Sequence, residues 1–291
     1  MATVDAAAVK TLREMTNAGI MDCKAALVEA EGDMNRAATI LREKGIAASG
    51  KKAGRATGEG MIGVHISADG KTAGIIEVNC ETDFVARNDN FRALVTDLAQ
   101  QVEGGAHDVA ALLAQPYLKE NGKTVEQHVR ESIATIGENI VVTRLMRLQA
   151  ESGVLGSYVH SDDKQAAIVE VSGDAEQSKQ LARDLAMQVV ALKPEFVSRE
   201  EVPSERMEAE RAIYQQQAAQ EGKPEAIQAK IAEGRLSKEF FQQVALLDQM
   251  FVKEQKQSVA QLVKQASADV VRFVRYRVGE GQQVEESIVE A

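Results

Sequence analysis

Two stretches of this chain are copies of one another, and a repeat of that size restricts the possible folds more than any local signal. Gly63 to Val78 (GVHISADGKTAGIIEV) aligns without a gap to Gly156 to Val171 (GSYVHSDDKQAAIVEV), at an offset of 93 residues. Further along the offset becomes 87, where Leu94, Asp97, Leu98, Ala99, Gln101 and Val102 match Leu181, Asp184, Leu185, Ala186, Gln188 and Val189. Two homologous units predict a pseudo-symmetric core, with specialised work placed where the copies differ. The change of offset puts six extra residues in the first copy, within Asn79 to Arg92. That excess contains Asp83-Phe84, whereas the second copy has the polar link SGDAEQSKQ. Read as a loop, the segment holds an aromatic at the surface, where it is expected to fill something outside the domain.

Each copy reads as a hairpin-like pair of strands, turning near Asp69-Gly70 or Asp162-Asp163, followed by a helix (Asn90 to Glu103; Glu176 to Ala191). Between them come a helical insert around Thr124 to Ser132, then Gly137-Glu138-Asn139, then a strand from Ile140 to Leu145. Mixed hairpins and helices predict α+β layers. Ahead of the repeat, Leu12, Met15, Ile20, Leu27, Met34, Ile40 and Leu41 are spaced for three short helices. Gly32 and Gly45 fall where helix C-caps belong, and Asp33 is placed to cap the third helix. Small modules of this kind usually serve as contact surfaces. The Gly/Ala/Lys-rich stretch 47–60 reads as linker.

After Lys193-Pro194-Glu195-Phe196 the pattern turns helical. Ser198 to Glu201 resembles a capping box, Ser204 is placed to cap the next helix, and Pro224 stands at the first position of another. Two helices joined by the turn at Gly222-Lys223-Pro224 form a hairpin with little room to bury its own faces. Ile213, Tyr214, Ile227 and Ile231 then need a second surface, so the hairpin is expected to protrude and dimerise rather than close on its own core. The end of the chain returns to α+β, with a capping-box-like Ser258 to Gln261 and a strand from Val270 to Val278. An acidic tail follows from Gln282.

A formal net charge of −10 argues against a protein whose main business is gripping phosphate backbones. Two cysteines, Cys23 and Cys80, make no disulfide framework and fit a reducing, cytoplasmic compartment. There is no apolar run long enough for a membrane span and no signal-peptide core. Phosphate-binding look-alikes fail on context. Gly45-IAAS-Gly50-Lys51 is followed by Lys52, where a P-loop needs the Ser or Thr that ligates magnesium. Gly58-x-Gly60-x-x-Gly63 leads from a linker into a strand, the wrong order for cradling a pyrophosphate. His65, His107, His128 and His160 stand apart, no Cys pair has metal spacing, and no serine sits in GxSxG. The basic cluster Lys51-Lys52-Arg55 reads more readily as solvated linker than as an RNA contact. Neither metal nor cofactor is implied, and the chain is expected to act by binding rather than as an enzyme.

The segments LREMTNAGIMDCKAAL (12–27), EVNCETDFVARNDNF (77–91), IGENIVVTRL (136–145), LGSYVH (155–160), KPEFV (193–197) and FVRYRVGEG (273–281) closely resemble the bacterial elongation factor Ts family, over nearly the whole chain and in the family's order. The resemblance implies a nucleotide-exchange factor for the translational GTPase elongation factor Tu, met in its GDP-bound and nucleotide-free states. It implies an N-terminal three-helix (UBA-like) module at 1–46, a linker at 47–60 and two related α+β core subdomains at 61–145 and at 146–197 with 235–278. A helical-hairpin dimerisation insert at 198–234 and a short C-terminal module at 279–291 complete that description. By resemblance, Thr82, Asp83, Phe84 and Val85 form the element that intrudes on the partner, Phe84 as a wedge and Asp83 against the segments that organise magnesium. Arg13, Ile20, Met21, Ile136, Gly137 and His160 match further partner-binding positions. Two other classes compete: a scaffold that binds a translation partner without touching nucleotide, and a chaperone-like or RNA-associated accessory protein.

Overall fold

The computed structural model describes residues 5–16, 18–173 and 175–280. The chain opens with helices α1 (Ala6–Thr16), α2 (Ile20–Glu29) and α3 (Met34–Lys52). Leu12, Cys23, Ala26, Leu27 and Ala37 close a small core between them. Asp33 caps α3 as its position predicts, its carboxylate accepting from Arg36 N at 3.0 Å. Two readings of this region need correcting. Gly45, expected at a C-cap, lies inside α3. The helix continues through Lys52, so the stretch 47–60 is helical at its start rather than linker throughout. Ala and Lys are strong helix formers, and a single internal glycine costs only about 1 kcal/mol, too little to end the helix at Gly50. The same helix takes up Gly45 to Lys51, so that segment forms no phosphate loop.

Strands β1 (Glu59–Ile66) and β2 (Thr72–Cys80) follow, then helices α4 (Asp83–Ala86), α5 (Asp89–Glu103), α6 (Val109–Ala114) and α7 (Val125–Ile136), and strand β3 (Ile140–Gln149). These strands form a sheet in the order β1-β2-β3. Next come β4 (Val154–Val159), β5 (Gln165–Val171), α8 (Ala175–Leu192), α9 (Ser204–Gln220), α10 (Glu225–Arg235), α11 (Phe241–Val244), α12 (Val259–Gln265) and β6 (Val270–Arg277). The second sheet has the order β4-β5-β6, with β4 antiparallel to β5 from Val154↔Val171 to Val159↔Ala166. This is the α+β class that the alternation of hairpins and helices predicts. Contacts divide the chain into two units. Unit one draws on Met1–His65, Gly74–Arg147 and Arg277–Ala291, and unit two on Ile66–Ala73 and Leu148–Tyr276. The three N-terminal helices pack within unit one: a Cβ on Gly45 of α3 would stand 3.0 Å from Ala134 Cβ of α7, and Arg42 pairs with Glu131 at 3.1 Å.

Taken separately, the two units repeat one set of contacts, and the repeat is longer than the copied sequence. A Cβ on Gly63 would meet Val95 Cγ1 of α5 at 2.7 Å, and one on Gly156 would meet Ala182 Cβ of α8 at 2.6 Å. In unit one Gln101 donates to Pro116 O at 2.7 Å and accepts from Leu118 N at 3.2 Å. In unit two Gln188 donates to Met250 O at 3.1 Å and accepts from Val252 N at 2.8 Å. Asp97 pairs with Lys119 at 2.5 Å, and Asp184 with Lys253 at 2.6 Å. Thr124 with Gln127 and Ser258 with Gln261 form the capping boxes that start α7 and α12. Arg144 of β3 bonds the buried Glu77 of β2, and Arg272 of β6 bonds the buried Glu170 of β5. The second copy is thus complete, and its third strand is β6.

The hairpin α9/α10 enters that second copy between α8 and α11. Its helices are stitched by Arg211 to Glu233 at 2.5 Å and Arg235 to Glu221 at 2.7 Å. At its base Val202, Leu236, Phe240, Phe241 and Val244 form a buried cluster, with Met207 and Tyr214 packed against it. Tyr214 therefore finds its surface within unit two, while Ile213 and Ile227 stay 46% and 42% exposed. Ser198 heads a short 3-10 turn, Arg199–Glu201, without a side-chain cap. Ser204 is the first residue of α9, and Pro203 and Pro224 hold the two N-cap positions. The extended backbone that proline favours (φ −56° at both) starts each helix without a capping hydroxyl. The tail from Gln282 and all but the start of the module at 279–291 lie outside the described residues.

Candidate partner-binding site

The segment after β2, read as a loop, is a one-turn helix, α4. Thr82 adopts extended backbone and caps it, its hydroxyl accepting from Val85 N at 3.4 Å. An Asp in the first turn suits the positive end of a helix, and Asp83 also pairs with Arg87 at 3.1 Å. Successive helical residues point about 100° apart, so neighbours on a single turn face different ways. Val85 packs against the unit-one core with Phe91, Leu94 and Val95. Phe84 points away and is 81% exposed, more than any other large apolar side chain among the described residues.

A second segment holds the base of α4. Helix α7 ends at Gly137, whose φ of 93° is left-handed backbone that glycine takes without strain, and the chain turns there toward β3. The next residue, Glu138, accepts from Thr82 Oγ1 at 2.6 Å, from Thr82 N at 3.0 Å and from Glu81 N at 3.1 Å. Glu81 returns the arrangement by accepting from Asn139 N at 2.7 Å. That amide, with Arg55 alongside, holds the Glu81 carboxyl below its usual range. Cys80 donates its thiol hydrogen to Thr82 O at 3.2 Å. Ile136, partly buried, packs on the same core as Val85. Thr82 to Val85 and Ile136-Gly137, named from separate sequence segments, are therefore parts of one local structure.

The other named residues lie elsewhere. Arg13 is exposed on α1, and Ile20 and Met21 are 57% and 73% exposed at the start of α2, above the buried Cys23 and Leu27. These belong to unit one, whereas His160 belongs to unit two. His160 follows β4, with Nδ1 3.2 Å from Asp162 Oδ1 and its ring edge-on to Tyr158. Burial opposes ionisation of Asp162, but the Lys164 amide and His160 together hold its carboxyl below the ordinary value. Beside His160 is a shallow, largely apolar hollow bounded by Met187, Val190 and Val252. Glu138 was not singled out from sequence. Its signal is a second change of offset: 134 from Thr124/Ser258 through Val129/Val263, but 128 at Arg144/Arg272.

Among the described residues no three His, Cys, Asp or Glu side chains are grouped to hold a metal ion, and no helix is long and apolar enough to cross a membrane. Fold and site together define a duplicated α+β protein with an exposed aromatic on a short helix whose base is hydrogen-bonded to Glu138. The family model described as Elongation factor TS matches residues 81–280. The chain is also 44% identical over 281 residues to Elongation factor Ts of Aquifex aeolicus (strain VF5), covering 93% of this chain and 96% of that protein. The chain belongs to the elongation factor Ts family. Family membership implies a factor of protein biosynthesis that promotes nucleotide exchange on elongation factor Tu.

Proposed function

We propose that this protein releases GDP from elongation factor Tu by driving Phe84 between packed elements of the nucleotide domain. The observation that carries this reading is Phe84 itself, 81% exposed on a helix whose neighbour Val85 is anchored in the core. A translational GTPase holds its nucleotide with P-loop amides, a lysine and a magnesium ion ligated by a hydroxyl and an aspartate. Packed elements of this kind have discrete alternative arrangements, so an inserted ring shifts them rather than bending them gradually. Asp83, paired with the well-exposed Arg87, is free to exchange that partner and disturb the groups that organise magnesium. The protein acts in the cytoplasm, by binding, and makes or breaks no covalent bond.

Linkage sets the size of the interface. Whatever factor weakens GDP binding also weakens binding of this protein by GDP, and each tenfold of that coupling is ~1.4 kcal/mol. Contacts beyond Phe84 offset the expulsion: Arg13, Ile20 and Met21 on the N-terminal helices, Ile136 and Gly137 beside α4, and His160 in unit two. The exposed Ile213 and Ile227 of the hairpin form a surface for a second copy of the chain. The test is release of fluorescent GDP from purified elongation factor Tu. Acceleration by substoichiometric protein supports exchange. A scaffold would bind without turning over, and an unchanged rate would sink the reading.

A further inference from the structure

Unit one exceeds unit two in two places. Between β2 and α5 the offset falls from 93 to 87, and between α7 and β3 it falls from 134 to 128, so each excess is six residues. The first contains Thr82 to Val85, and the second contains Glu138. They meet: both oxygens of Glu138 are taken up by Thr82 and Glu81, at 2.6 to 3.1 Å. Among the described residues unit two has neither part: Ser172-Gly173 leads toward α8 with no counterpart of α4, and by the downstream offset Ala266 stands opposite Glu138.

A four-residue helix does not hold itself in place, since one turn fixes several dihedrals for very few hydrogen bonds. Val85 and Ala86 rest on the unit-one core, but they do not by themselves fix the angle at which the turn leaves β2. The direction in which α4 leaves β2 depends on the backbone at Glu81 and Thr82, whose N–H groups both end on the Glu138 carboxylate. We infer that Glu138 is a positioning residue for nucleotide release: it fixes the exit angle of α4 and presents Phe84 already aimed. A ring held in its inserting orientation loses little freedom on docking, so more of its contact energy goes into opening the partner. The role rests on the exchange reading given above, and it assigns Glu138 no contact with the partner.

The experiment is stopped-flow release of fluorescent GDP from elongation factor Tu at rising concentrations of full-length wild type, Glu138→Ala, Glu138→Gln, Phe84→Ala and the double variant Glu138→Ala/Phe84→Ala. Losing hydrogen bonds to a charged group should lower the maximal rate of Glu138→Ala about tenfold or more. Glu138→Gln, which keeps a carbonyl acceptor, should recover part of it. In the Phe84→Ala background Glu138→Ala should cause no further loss, because there is no ring left to aim, while its effect on melting temperature should be the same in both backgrounds. If Glu138→Ala does not fold, Glu138→Gln with and without Phe84→Ala carries the test: its smaller loss should likewise vanish when the ring is absent. A wild-type maximal rate for Glu138→Ala overturns the inference, as does an equal fractional loss with and without Phe84. Wild-type protein that fails to speed release overturns the exchange reading instead, and this inference with it.

Discussion

Arg144 Nε lies 2.7 Å from Glu77 Oε2, and the Glu77 side chain is fully buried. The other carboxylate oxygen accepts from Gly279 N at 2.7 Å and from Asn79 Nδ2 at 3.3 Å. In unit two Arg272 meets Glu170 in the same way, at 2.9 Å, with the second Glu170 oxygen accepting from Glu151 N and Ser152 N. A buried carboxylate is tolerable only while it is paired and hydrogen-bonded. Each pair therefore ties the third strand of a unit to its middle strand, and removing the arginine strands a charge.

Arg144→Leu is expected to destabilise unit one by about 3 kcal/mol, the lower end for a broken buried pair because the guanidinium keeps some contact with water. Arg272→Leu should do the same in unit two. Urea unfolding checks both, and a loss below about 1 kcal/mol, the size of a surface ion pair, would refute these arginines as ties between the strands.

Phe84→Ala should leave stability within about 0.5 kcal/mol of wild type, because so exposed a side chain contributes little to the core. Its cost should fall on the competent complex with elongation factor Tu, at about 2 kcal/mol for a hot-spot aromatic. Melting temperature and GDP-release kinetics separate the two effects. Unchanged release would remove Phe84 from the mechanism.

His128 lies flat on Tyr117, with ring centres 3.9 Å apart and planes at 15°. Burial, with Lys123 beside it, depresses the His128 pKa below the ordinary 6.5, against the pull of Glu131, Glu120 and Asp97. A depressed folded pKa means that the unfolded chain takes up the proton first as pH falls. The neutral imidazole's contribution is then fully present above pH 6.5 and is lost as pH falls through the lower folded value. Urea midpoints should therefore decline on acidification through this window. His128→Phe, which keeps the ring stack, should flatten that part of the curve, and an identical decline in the variant would assign it to other groups.

Ile213 and Ile227 are exposed on a hairpin whose helices otherwise present charge and glutamine. Burying an isoleucine is worth ~1.5–3 kcal/mol, so a symmetric contact that covers two on each copy has enough apolar surface to hold a weak dimer. Light scattering should give a concentration-dependent dimer mass for wild type and a monomer for Ile213→Asp/Ile227→Asp. Wild-type protein that stays monomeric at every concentration tested would dismiss the hairpin as a self-association surface.

Much of the fold was legible in residue patterns. The apolar strand run at Ile75-Ile76-Glu77-Val78, the apolar spacing of α5 and α8, and Asp33 as a cap are local signals, and the elements form where those signals fall. The misreadings share a cause. Gly45 looked like a helix end because glycine often is, whereas its lack of a side chain serves the close approach of α3 to Ala134. Asp83-Phe84 looked like loop because four residues carry no helical period, and what makes them a helix is the Thr82 cap with its Glu138 support. Glu138 carries no local signal of its role, since its partner is 56 positions away.

Sequence alone determined that this protein is duplicated, α+β, opened by three helices and marked by an excess around Asp83-Phe84, because periodicity and copy-to-copy identity are written along the chain. Tertiary structure decided that the second copy finishes only after the hairpin, with Arg272 reaching back to Glu170 across 102 positions. It also decided that the two excess segments of unit one close on each other at Thr82 and Glu138. The physical reason is the same for both: a carboxylate finds its partner by geometry in a packed interior, and nothing in local pattern records which distant donor the fold will bring within hydrogen-bond reach.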